Sequence, residues 1–147
     1  MADVVVRPAL ETDFAAIKAL IHETGINPMG LDWRRFIVAE LPDGSFAGCG
    51  QLKPHSDGTL EMASIAVIPA ARGQGLARLI ILKLLAEAPR PLYLTCKSTL
   101  GPFYAKFGFQ PIQGSDLPQY FRRISRVAGL ISALRLIHDK LLVMVLK

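Results

Sequence analysis

The chain has few of the residues that build metal sites, disulfide scaffolds or nucleic-acid platforms. Its 147 residues include two cysteines, three histidines and one tryptophan. Cys49 and Cys96 form no CxxC pair and no ligand cluster with His22, His55 or His138, so no metal is expected. The two thiols read as reduced and buried in a cytoplasmic protein. Aromatic residues make up 7% of the chain, too few for a stacking platform along single-stranded nucleic acid. The first residues lack a basic segment followed by an apolar run and a cleavage site, so no secretory signal is expected. A charge-free apolar run of the ~20 residues that a spanning helix needs is also missing. Residues 127–146 are long enough but carry Arg135, His138, Asp139 and Lys140. Each charge at a bilayer centre costs about 2.5–3.5 kcal/mol, which argues against spanning.

What is present is core material: 51% of residues are hydrophobic and 20% charged, the profile of one folded domain. The net charge of +5 is unevenly placed. Residues 1–116 carry 11 basic and 11 acidic side chains. Residues 117–147 carry Arg122, Arg123, Arg126, Arg135, Lys140 and Lys147 against Asp139 alone. A basic end suggests an anionic partner, a membrane surface or a solvated helix face. No aromatics are interleaved with these basic residues, so no nucleic-acid partner is expected.

Along the chain, Val4-Val5-Val6 reads as a first strand, and Phe14, Ile17, Leu20 and Ile21 have helical spacing. Gly25, Asn27, Pro28 and Gly30 break the chain before a second strand at residues 36–39. Turn signals at Pro42-Asp43-Gly44 and Ser56-Asp57-Gly58 separate a third strand, residues 46–53, from a long apolar fourth, residues 60–68. A helix over residues 75–87, a fifth strand over 92–96 and a short helix over 100–107 follow, with Gly108 suited to a left-handed cap. Residues 109–112 read as a further strand. From Pro118 the chain reads as helical and basic, bent or split at Gly129. This order gives a mixed α/β (α+β) sheet with helices on both faces.

The segment that carries chemistry is Ile65-Ala66-Val67-Ile68-Pro69-Ala70-Ala71-Arg72-Gly73-Gln74-Gly75-Leu76-Ala77. Two glycines stand where a buried strand meets a helix, free to adopt unusual backbone angles and to let a ligand approach. The first amides of a helix lack internal partners and the helix dipole adds positive charge there, which suits a diphosphate. A Walker loop would need Gly-Lys-Ser/Thr, but Gly75 is followed by Leu76-Ala77. A dinucleotide fingerprint would need three glycines after the first strand.

The run Arg72-Gly73-Gln74-Gly75-Leu76-Ala77 resembles the Gln/Arg-x-x-Gly-x-Gly/Ala signature of the GNAT (GCN5-related N-acetyltransferase) superfamily. Ile65-Ala66-Val67-x-Pro69 is similar to that family's lead-in, and Arg7-Pro8-Ala9 with Asp13 resembles its opening. Phe103-Tyr104-x-x-Phe107-Gly108-Phe109 resembles its Tyr-x-x-x-Gly-Phe element. The resemblance covers roughly residues 4–112. It implies a mostly antiparallel central sheet splayed between the fourth and fifth strands, and acetyl-CoA as co-substrate with no metal. It assigns the amides of Arg72, Gly73, Gln74, Gly75, Leu76 and Ala77 to the pyrophosphate, and the main chain of Ile65, Ala66 and Val67 to the pantetheine arm. Thr95, Lys97 and Ser98 are fifth-strand candidates for a further coenzyme contact.

An amine attacking a thioester must lose a proton, and the departing thiolate gains one. By resemblance Tyr104 is the general acid, the alternative being an aromatic packing residue. A phenol with a reference pKa near ~10 stays protonated at neutral pH. Glu61 matches a carboxylate that acts as base through water, the alternative being a solvated strand-end glutamate. Arg72 lends charge to phosphate or is a solvated loop residue. Asn27 and Trp33, in the loop after the first helix, are acceptor-binding candidates, with core packing as the other reading of Trp33.

The expected organisation is an acetyltransferase domain over residues 1–116 and a basic amphipathic helical extension over residues 117–147. The expected function is transfer of acetyl from acetyl-CoA to a primary amine of a small metabolite, protein N-terminus or lysine, by direct attack in a ternary complex. The other reading is a non-catalytic CoA-binding module that docks through its basic helix to a membrane surface or a protein partner.

Overall fold

The computed structural model describes residues 3–133 and 140–147. Among the described residues seven strands form one mixed sheet: β1 (Val5–Pro8), β2 (Phe36–Glu40), β3 (Phe46–Pro54), β4 (Leu60–Val67), β5 (Leu92–Lys97), β6 (Gln110–Ile112) and β7 (Leu141–Leu146). Their order is β1-β2-β3-β4-β5-β7-β6. The β4–β5 pair is parallel and registers only Glu61 with Tyr93. The helices are α1 (Phe14–Thr24), α2 (Leu76–Glu87), α3 (Gly101–Ala105) and α4 (Gln119–Ala133). The expected mixed α/β architecture is therefore what the chain adopts.

Two compact units divide the residues. The first comprises Met1–Lys53 and Met62–Ala88. Its β1–β2 and β2–β3 pairs are antiparallel. The alternation of β3 sends Cys49 to one face and Gly48 and Gly50 to the other. On the Cys49 face, the helical stripe Ile17, Leu20 and Ile21 of α1 packs with Phe36, Val38 and Ala66. On the opposite face the two glycines let α2 approach closely. A Cβ on Gly50 would stand 2.7 Å from Ile65 Cδ1 and 2.8 Å from Ile80 Cγ2, and one on Gly48 2.7 Å from the Ala66 carbonyl oxygen. Arg7 ties the opening of this unit together, with ion pairs of 2.8 Å to both Asp13 and Glu40.

The second unit comprises Pro54–Glu61 and Pro89–Lys147. Its centre is β7, antiparallel to β5 on one side and to β6 on the other. Val143, Met144 and Val145 are all buried. Leu117, Phe121 and Val143 form a core with Tyr93, Ile112 and Tyr120 packed against it. This corrects the expectation of a helical C-terminal extension. Helix α4 occupies Gln119–Ala133 and runs on through Gly129, but the next described stretch is a strand. The run Leu141-Leu142-Val143-Met144-Val145-Leu146 lacks a period that separates a helix from a doubly covered strand. The edges of β5 and β6 decide it, because each has main-chain groups to pair.

Arg122 does not simply face water, since its Nε donates to the Leu117 carbonyl (2.8 Å) and an Nη to that of Ser115 (3.3 Å). Arg123 and Arg126 are exposed. Arg135, His138 and Asp139 lie outside the described residues. Among the described residues no helix is long and apolar enough to cross a membrane.

Candidate functional site

In the first unit, β4 ends at Val67 and a 3-10 turn at Pro69–Ala71 leads into Arg72, Gly73, Gln74 and Gly75, all exposed. Gly73 and Gly75 have φ of 77° and 84°, in the left-handed region. A Cβ at either would meet no atom within 4 Å. Glycine is therefore required by backbone conformation rather than by crowding, and the turn is open to solvent. Gly75 caps α2 without any side-chain hydrogen bond, while buried Leu76 anchors the first turn and Ala77 is half-buried. The open turn and the uncapped helix start fit a diphosphate. Arg72 turns its Nε back to the Val67 carbonyl (3.1 Å), bracing the turn against the end of β4.

Within β4, Ile65 and Val67 are half-buried and Ala66 is buried. Just before them Ser64 has φ of 60°, an unusual angle for a residue with a Cβ. It interrupts the regular strand where the pantetheine contact is expected. Gln51 Nε2 donates to its Oγ at 2.9 Å, with both side chains buried. No motif in the sequence points to this Gln51–Ser64 pair.

In the second unit the Glu61 carboxylate is enclosed, which excludes the reading of a solvated strand-end glutamate. Its Oε1 lies 2.7 Å from His55 Nε2, with side-chain exposures of 5% for His55 and 8% for Glu61. Its Oε2 accepts a hydrogen bond from Thr95 Oγ1 at 3.2 Å. The His55 ring stacks on Tyr120, with centroids 3.4 Å apart at 15°, and meets Phe121 at right angles. The Tyr120 amide donates to Asp57 Oδ2 (3.0 Å), which fastens the start of α4 to the hairpin turn. Burial, with Glu61 and Asp57 nearby, pushes the Tyr120 phenol above its ordinary range.

Thr95 is thus the fifth-strand residue brought to Glu61. Lys97 ends β5, and the Ser98 amide donates to the Lys140 carbonyl. His55, Tyr120 and Phe121 were not legible as site residues. The Asp57-Gly58 turn hinted that residues 55 and 61 approach across a hairpin, but nothing local signalled Tyr120.

Tyr104 lies on α3, half-buried and edge-on to both Phe103 and Phe109. Burial, with a smaller influence from Cys96, pushes its phenol up to about 12, so it remains a proton donor at neutral pH. Burial also raises the Cys96 thiol, and lifts Cys49 to about 12, which makes both poor nucleophiles. Among the described residues no group of three or more His, Cys, Asp or Glu is placed to hold a metal ion.

Of the acceptor candidates, Asn27 is exposed and its Oδ1 accepts the Met29 amide (3.0 Å), so its side chain braces its own loop. Trp33 is half-buried, with the Arg34 guanidinium 4.9 Å from its ring centroid.

The family model for the acetyltransferase (GNAT) domain matches residues 32–111. An amino-acid acetyltransferase of Mycobacterium tuberculosis is 32% identical over 128 residues, covering 77% of this chain and 72% of that protein. Among solved structures, the N-acetylglutamate synthase of Neisseria gonorrhoeae, complexed with coenzyme A and N-acetyl-glutamate, matches with a TM-score of 0.75 at 25% identity. All of this chain is covered, but it spans only 36% of that synthase. A Mycobacterium tuberculosis protein in complex with CoA matches with a TM-score of 0.71 at 27% identity, covering 97% of this chain and 98% of that one. Motif, fold and relatives agree, and the chain belongs to the GNAT acetyltransferase family.

Proposed function

We propose that the protein transfers acetyl from acetyl-CoA to the amine of a free amino acid, by direct attack within a ternary complex. The observation that carries the reading is the open, uncapped turn at Gly73 and Gly75, where main-chain amides at the start of α2 provide a seat for the coenzyme's diphosphate. The amino-acid acceptor is supported by the relatives: one is an amino-acid acetyltransferase, and another binds N-acetyl-glutamate.

The coenzyme brings an activated thioester, and the chain's residues handle binding and protons. The main chain of Ile65–Val67 pairs with the pantetheine arm, and the amides of Arg72–Ala77 take the pyrophosphate. Glu61 accepts the ammonium proton through water, which frees the amine to attack. Tyr104 returns a proton to the departing thiolate. Trp33 lines the acceptor side, and Asn27 shapes its loop. Neither cysteine is used.

Thiol release from acetyl-CoA, measured across an amino-acid panel with simple amines and peptides as comparison, tests the reading. Turnover on at least one free amino acid above the comparison amines is expected. Turnover confined to peptides would overturn the acceptor class. Binding of acetyl-CoA without turnover on any amine would overturn the enzymatic role.

A further inference from the structure

We propose that His55 is the positioning residue for Glu61, a role that rests on Glu61 being the base. The two Glu61 oxygens are held separately, by His55 Nε2 at 2.7 Å and by Thr95 Oγ1 at 3.2 Å. His55 supplies the shorter contact. An ionised carboxylate only accepts, so Nε2 carries the proton in that contact.

The ring has little freedom to turn away. Its face lies on Tyr120, it meets Phe121 at right angles, and its backbone closes the hairpin through His55 N to Thr59 O (2.9 Å) and Gly58 N to His55 O (3.0 Å). Asp57, in the same turn, fixes the start of α4 through the Tyr120 amide and so keeps the stacking partner in place. One ring orientation is therefore built in, and it aims Nε2 at Glu61. Without His55 the buried Oε1 loses its donor and only Thr95 still holds the carboxylate, a costly state that Glu61 avoids by taking a proton or swinging to water. Either response removes the base. His55 acts through Glu61 and needs no contact with either substrate.

Two substitutions separate positioning from packing. His55→Phe keeps an aromatic face for Tyr120 and removes the donor. His55→Gln loses the ring and keeps an amide donor near the place of Nε2. For positioning, kcat falls about 10-fold or more in His55→Phe, with the KM for acetyl-CoA within about 2-fold, and His55→Gln recovers much of the loss. Packing alone predicts the reverse order. Acetyl-CoA binding by calorimetry and the thermal midpoint report whether each variant is folded.

A His55→Phe variant as fast as wild type, or a folded His55→Gln variant as slow as Glu61→Gln, would overturn the proposal. If His55→Phe does not fold, the His55→Gln result decides alone. Glu61→Gln separates the two levels of the argument. Full activity in that variant removes Glu61 as base and takes the His55 role with it. A slow Glu61→Gln beside a wild-type-like His55→Phe removes only His55. In the double variant His55→Phe/Glu61→Gln, no loss beyond Glu61→Gln is expected. A further loss would show that His55 acts elsewhere.

Discussion

The Tyr104 hydroxyl belongs to a ring that packs against Phe103 and Phe109, so packing and the proposed proton transfer meet in one side chain. Phenylalanine at this position keeps the ring contacts and removes the hydroxyl with its proton. Tyr104→Phe is therefore expected to lower kcat by about 100-fold while leaving the dissociation constant of acetyl-CoA within about 2-fold. Steady-state kinetics and calorimetry check the two halves of that statement. Asp13 answers to pH in a different way. The Arg7 guanidinium beside it and the Leu10 amide hold its carboxyl below the ordinary value of 3.8. A depressed carboxyl stabilises the fold above its unfolded pKa, and the effect is lost as pH falls through the folded value. Asp13→Asn should thus cost about 1 kcal/mol near neutral pH. Thermal midpoints of the two proteins should converge as pH drops below 3.8. The sequence supplied both residues through motif resemblance. Glu40, the second carboxylate on the Arg7 guanidinium beside Asp13, lies on β2, outside the motif.

At the scale of elements, β3 shows how a short pattern sets two helix contacts. Gly48-Cys49-Gly50 places a side chain toward α1 and bare backbone toward α2. The Gly50 position faces Ile65, Ile80 and Leu84 with no room for a methyl group. Gly50→Ala should destabilise the protein by about 1–3 kcal/mol through overpacking, measured by denaturant unfolding. A midpoint equal to wild type would mean that α2 shifts freely, against the close approach seen here. Helices α1 and α2 were readable from spacing and glycine placement because their determinants are a few residues apart. Ser64 was not readable. A serine with positive φ inside a strand, hydrogen-bonded to Gln51 across the sheet, is predicted by no local preference.

For the whole molecule, β7 matters most. It joins β5 to β6 with residues far apart in sequence, and it buries Val143, Met144 and Val145. Each such side chain contributes about 1.5–3 kcal/mol on burial, and three of them rival the net stability of a small domain. Removing residues 141–147 should leave two unpaired strand edges and a protein that aggregates or melts without cooperativity, by calorimetry and light scattering. A soluble, cooperatively folded truncation would make β7 an accessory. By itself the sequence determined the glycine turn proposed to seat the diphosphate and the helix behind it, because left-handed glycines and helical spacing are short-range properties of the chain. It also determined the mixed order of strands and helices. Only the tertiary structure decided that residues 141–146 are a strand, since a uniformly apolar run takes its conformation from the partners it meets. The same holds for the setting of Glu61. His55, Thr95 and Tyr120 come from a hairpin, a neighbouring strand and a later helix, and the folded sheet is what brings them within hydrogen-bonding and stacking distance.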